Sequence, residues 1–69
     1  MTLMAELIEY TFYVEGKPPP SIEGAEIVKV EKIFNEWRRL TLRLPKDRLR
    51  EIAENLRKMG LRLARSANY

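Results

Sequence analysis

With 69 residues, 33% of them charged, and a formal net charge of +3, the chain has the size of one small domain. It contains neither Cys nor His, which excludes disulfide staples, a thiol nucleophile, a neutral-pH imidazole acid–base and the usual zinc ligands. No run approaches the roughly 18 consecutive apolar residues of a membrane-spanning helix, so no membrane partner is expected.

A chain this short buries only about 60% of the surface its unfolded form exposes. Stability therefore has to come from tight packing, ion pairs or association with another chain. Gln is absent, the only Asn residues are Asn35, Asn55 and Asn68, and Arg and Glu are prominent. Few thermolabile side chains with many charges is a hyperthermophile pattern and points to a thermophilic archaeal or bacterial source. Met1-Thr2-Leu3-Met4-Ala5 has no basic region, and Glu6 and Glu9 interrupt the apolar residues that follow. This argues against a signal peptide and for a cytoplasmic protein.

Residues 7–15 alternate, with Ile8, Tyr10, Phe12 and Val14 on one side and Glu9, Thr11, Tyr13 and Glu15 on the other. This period of two predicts a half-buried strand that Gly16 ends. Residues 17–24, Lys-Pro-Pro-Pro-Ser-Ile-Glu-Gly, predict a stiff loop, because proline lacks the backbone donor and favours polyproline II. Residues 25–34 predict a second strand. Val28 and Val30 fall inward on one register and Ile27 and Ile33 on the other, so a bulge near Glu31-Lys32 is expected. Asn35-Glu36 reads as a tight turn. Residues 37–44 alternate again, Leu40, Leu42 and Leu44 inward and Arg39, Thr41 and Arg43 outward.

Pro45 stops that strand and opens a helix over about 46–59, whose stripe is Leu49, Ile52, Ala53, Leu56 and Met59. Arg50–Glu54 and Glu54–Lys58 are four apart on its outer side. Gly60 reads as the residue just past the helix, with Leu61 folding back on Leu56. Residues 61–65 then form a short fourth strand, or else the helix continues through Gly60. The expected fold is α+β: an antiparallel three-stranded meander with one C-terminal amphipathic helix on one face, β-β-β-α, plus the optional strand.

Catalysis is hard to build from these side chains. Gly16, Gly24 and Gly60 are scattered rather than gathered into a phosphate loop. No catalytic residue, cofactor, metal or small-molecule substrate is expected. Charge, however, is uneven. Residues 1–36 carry three lysines against seven glutamates, and residues 37–69 carry ten cations against three carboxylates. Such asymmetry suits a polyanion or a self-complementary pairing.

On the open sheet face, Lys29, Arg39 and Arg43 are placed to hold phosphates and Tyr13 and Trp37 to stack bases. Arg57, Lys58 and Arg62, with Arg65, would extend the basic track near the helix end. This predicts nucleic-acid binding, to RNA or single strands ahead of duplex DNA. Glu9, Glu15 and Glu31 share that face, and the alternative is that they pair with the cations across strands. A continuous positive surface would favour nucleic acid, and alternating pairs would favour a scaffold.

Arg39-Leu40-Thr41-Leu42-Arg43-Leu44-Pro45, followed by a helix ending Lys58-Met59-Gly60, resembles the strand and first helix of ribbon-helix-helix DNA-binding proteins. The resemblance implies that the outward residues Arg39, Thr41 and Arg43 enter the major groove. The family continues into a second helix after the glycine and has no preceding strands, whereas two strands are expected here before the match.

A different class of function is subunit work. Strand 1 is long, apolar on one side and free of proline, and exposed edges invite another chain. On this reading the protein is a homodimer, or an accessory subunit of a tRNA-modifying, ribosomal or transcription assembly.

Overall fold

A computed structural model describes residues 6–64. In chain order it forms β1 (Leu7–Glu15), β2 (Glu26–Phe34), β3 (Trp37–Pro45), a 3-10 turn (Lys46–Arg48), α1 (Leu49–Lys58) and β4 (Arg62–Leu63). Three long strands, a short fourth and one C-terminal helix make an α+β fold, as the alternation and the helical stripe predict.

The strand order is β2-β3-β1-β4, with every pairing antiparallel. This differs from a simple meander. β1 pairs with β3 rather than β2, from Leu7 opposite Pro45 to Glu15 opposite Trp37. The physical reason lies in the connection. Pro18, Pro19 and Pro20 hold the chain extended and cannot make a tight reversal. At roughly 3.1 Å per residue, residues 17–21 carry the chain roughly 16 Å, and a turn at Ile22–Ala25, in which the Ala25 N–H donates to the Ile22 carbonyl at 3.2 Å, then redirects it. The loop thus runs back along the sheet and starts β2 on the far side of β3, where Glu26 meets Arg43. Ile22, the one large apolar residue in the loop, is buried and anchors this crossover to the core.

β2 returns to β3 through Asn35-Glu36. Asn35 takes φ 50, a left-handed conformation that asparagine tolerates better than most residues. Register shifts occur in β2 between Ile27 and Lys29 and between Lys32 and Phe34. The bulge expected near Glu31-Lys32 is therefore displaced to Ile33, and a second one falls at Val28.

The core is formed by Phe12 and Val14 of β1, Leu40, Leu42 and Leu44 of β3, Ile52, Ala53 and Leu56 of α1, and Ile22 and Leu61. Each fully buried aliphatic or aromatic side chain contributes about 1.5–3 kcal/mol, which lets so small a sheet hold its helix. Leu49 is half-buried against this cluster. Met59, placed on the stripe by periodicity, is exposed instead, because it follows the last helical turn and the chain swings away there.

The helix end explains that swing. Gly60 has φ 94, its N–H donates to the Arg57 carbonyl at 3.0 Å, and the Leu61 N–H donates to the Leu56 carbonyl at 3.2 Å. These two bonds are the Schellman arrangement. They stop the helix, bury Leu61 and send Arg62–Leu63 alongside Val14 and Glu15 of β1. The alternative of a helix continuing through Gly60 is thereby excluded. On the outer side of α1, Glu54 pairs with Arg57 at 3.1 Å and Glu51 with Arg48 at 2.7 Å. Both pairs are three residues apart, not the expected four. No helix among the described residues is long and apolar enough to cross a membrane.

Candidate functional site

Antiparallel partners place their side chains on the same face of a sheet, so the register fixes what the face opposite α1 carries. Four rows cross it. The first is Glu9, Arg43 and Glu26; the second is Thr11, Thr41 and Lys29; the third is Tyr13, Arg39 and Glu31. The fourth, at the turn end, is Arg62, Glu15, Trp37 and Phe34.

The cations on this face are all engaged. Arg43 reaches Glu9 through Nη2 at 2.9 Å and Glu26 through Nη1 at 3.4 Å, so one guanidinium ties three strands together. Its pKa is raised, first by the hydrogen bond to Glu9 and then by the charge of Glu26. Arg39 lies 3.8 Å from Glu31, whose same oxygen is 3.7 Å from the Lys29 ammonium. Arg62 lies 3.5 Å from Glu15. Four carboxylates face four cations, and the two signs alternate instead of merging into a positive strip.

In the middle row, Thr11 and Thr41 share a hydroxyl hydrogen bond of 3.0 Å. Thr41 is buried. This corrects its placement, by the ribbon-helix-helix resemblance, as an outward groove contact. β3 lies between β1 and β2, and the segment after Gly60 is a strand rather than a second helix.

The structure therefore brings Lys29, Arg39, Arg43, Arg62, Tyr13 and Trp37 onto one face. It does not bring Arg57 and Lys58 there. Both belong to α1, which packs on the opposite side of the sheet, so the basic track they were expected to extend is interrupted by the sheet itself. Arg65 lies outside the described residues. Tyr13 is exposed and Trp37 half-buried. Phe34 lies opposite Trp37, one row from Tyr13, an aromatic pair that alternation alone does not reveal, because the bulge at Ile33 puts Phe34 there.

The edge of the sheet is the second candidate surface. The edge expected to be open was strand 1. Yet β1 lies beside β3 throughout, β4 covers Val14 and Glu15 on its other side, and the Ala64 N–H reaches the Tyr13 carbonyl at 2.9 Å. β1 is thus covered only at its C-terminal end, whereas β2 has no strand neighbour anywhere along its outer side among the described residues. Val28, Val30, Ile33 and Phe34 are 39%, 44%, 37% and 59% exposed, and β2 gives the core only the half-buried Ile27. These four large apolar side chains lie on a strand with no neighbour on its outer side among the described residues, the kind of surface another chain can cover.

The chain matches no protein-family model, no curated protein and no solved structure.

Proposed function

We propose that this protein is a non-enzymatic interaction subunit that docks another protein chain along β2. The observation that carries the reading is the contrast between two surfaces. The sheet face neutralises its own cations with glutamates, whereas β2 presents unpaired backbone on its outer side together with exposed Val28, Val30, Ile33 and Phe34. Strand addition supplies main-chain hydrogen bonds for affinity and alternate side chains for specificity. Salt-screened surface ion pairs are worth little to stability individually. They do balance the charge of the face opposite α1, which favours the edge as the adhesive part.

The test is photo-crosslinking in the cell of origin, with p-benzoylphenylalanine replacing Phe34 in one variant and Met59, exposed beyond the helix end, in another. Protein adducts from position 34 and none from position 59 are the expected result. No protein adduct from position 34 would remove the β2 edge as the docking surface.

A second reading rests on one specific observation, the aromatic pair Trp37 and Phe34 in the row next to Tyr13 and Arg39. Such a group is a stacking platform for single-stranded RNA. It predicts RNA adducts from position 34, and RNA binding by fluorescence anisotropy that survives near-physiological salt and falls when Arg39 and Arg43 are both replaced by Ala. Absence of binding at low salt rejects this second reading.

A further inference from the structure

We infer that the chain docked on β2 is a second copy of this protein, paired antiparallel about a two-fold axis through Val30. The inference rests on the reading of β2 as the docking edge and adds the partner and the register.

Charge and side-chain parity fix the register. Between its two bulges β2 runs regularly through Lys29, Val30, Glu31 and Lys32, with Lys29 and Glu31 on the face opposite α1 and Val30 and Lys32 on the helix side. Two copies related by a two-fold axis perpendicular to the sheet must match residues of the same face, or every side chain would be turned over. The axis therefore passes through a residue of this segment, and each choice places that residue against its own copy. An axis at Lys29 or Lys32 sets two lysines opposite each other, and one at Glu31 sets two glutamates opposite each other. Like charges directly opposite are destabilising. Only Val30 places an apolar side chain against itself.

In that register Lys29 of each copy lies opposite Glu31 of the other, so two cross-strand ion pairs flank the apolar pair on one face. Within one chain Glu31 already sits 3.7 Å from Lys29 and 3.8 Å from Arg39. Its carboxylate is therefore held on the correct face before the second copy arrives. The result is one continuous eight-stranded antiparallel sheet with both helices on the same side, in which the long open edges of two copies disappear together.

The test is molecular mass by light scattering and sedimentation equilibrium across a wide concentration range, with the wild type, Lys29→Glu, and the doubly swapped Lys29→Glu/Glu31→Lys. Circular dichroism controls for folding. Lys29 is exposed, so its substitution leaves the core intact. The wild type is expected to be a dimer. K29E sets Glu against Glu at both pairs and weakens the dimer by about tenfold. The double swap recreates both pairs and restores it.

A dimer indifferent to K29E places the interface elsewhere and overturns the inference. A dimer that K29E weakens but the double swap fails to restore overturns the register. A wild type monomeric at every concentration overturns the self-partner. The crosslink from position 34 then separates the two claims: an adduct to a different protein leaves the docking edge standing with another occupant, and no protein adduct removes both.

Discussion

Strands β2 and β3 are each nine residues long and are joined by a two-residue turn, yet they behave as opposites. β3 buries Leu40, Thr41, Leu42 and Leu44, while β2 buries no residue at all. Both are rich in branched apolar side chains, so composition does not separate them. Position does. β3 has a strand on either side and carries side chains of the core under α1. β2 has β3 on one side, two bulges that break its alternation, and only Ile27 packed against the core. On the proposed reading, stability and interaction are divided between adjacent strands, with the centre of the sheet holding the fold and its edge offered to a partner.

The sharpest way to break this comparison is to truncate one apolar residue in each strand. Leu42→Ala empties a site inside the closed cluster and is expected to lower unfolding free energy by about 2–5 kcal/mol. Val30→Ala on β2 is expected to change the isolated monomer by less than about 0.5 kcal/mol. Denaturant melts measured under dissociating conditions compare the two. Equal losses would mean that β2 is part of the folding core.

The next effect concerns where the two regions are tied together. Gly16 has φ 119, its N–H donates to the Glu36 carbonyl of the β2–β3 turn at 2.9 Å, and a methyl group there would meet the Leu61 Cδ2 at 3.0 Å. The Arg38 guanidinium donates to the Gly16 carbonyl at 2.6 Å from the other side. Gly16→Ala is expected to destabilise by about 1–3 kcal/mol through backbone strain, read as a lower denaturation midpoint. An unchanged midpoint would show that this corner relaxes freely.

Gly60→Ala is a smaller version of the same test. Its φ of 94 is strained for any residue with a Cβ, but the added methyl meets open space. A loss of about 1 kcal/mol is expected, smaller than at Gly16.

The smallest effect is in acid. Arg48 hydrogen-bonds the Glu51 carboxylate and holds its pKa below the ordinary value. Because the folded-state value is the lower one, this contribution is complete above the unfolded carboxylate range. It disappears as pH falls through the depressed folded value. Arg48→Ala should therefore narrow the stability gap between neutral and acid pH slightly. A variant with an unaltered pH profile would show the pair to be energetically silent.

Much of the fold is legible in the sequence, and the reasons are local. The alternation of residues 7–15 and 37–44, the turn at Asn35-Glu36 and the helix stop at Gly60 are each written in neighbouring side chains, and each stands in the structure. The strand order is not local. It depends on how far Pro18-Pro19-Pro20 carry the chain before β2 begins, and sequence alternation is blind to which strand lies beside which. The candidate site was legible in type but not in arrangement. Glu9, Arg39, Arg43 and Glu31 are visible as outward residues. That Arg43 bridges Glu9 and Glu26 follows only from a register set by the strand order. Phe34 and Ile22 escaped notice for related reasons, one displaced by a bulge and the other a lone apolar residue in a proline loop.

Whether β2 docks a second copy is decided by hydrogen exchange of its backbone amides, followed residue by residue over increasing protein concentration. Amides of β3, and those of β1 that bond to β3, are expected to be protected at every concentration. The outward-pointing amides of residues 27–33 should exchange quickly when dilute and become protected as the protein is concentrated. Protection of β2 that does not change with concentration would contradict docking of a second copy.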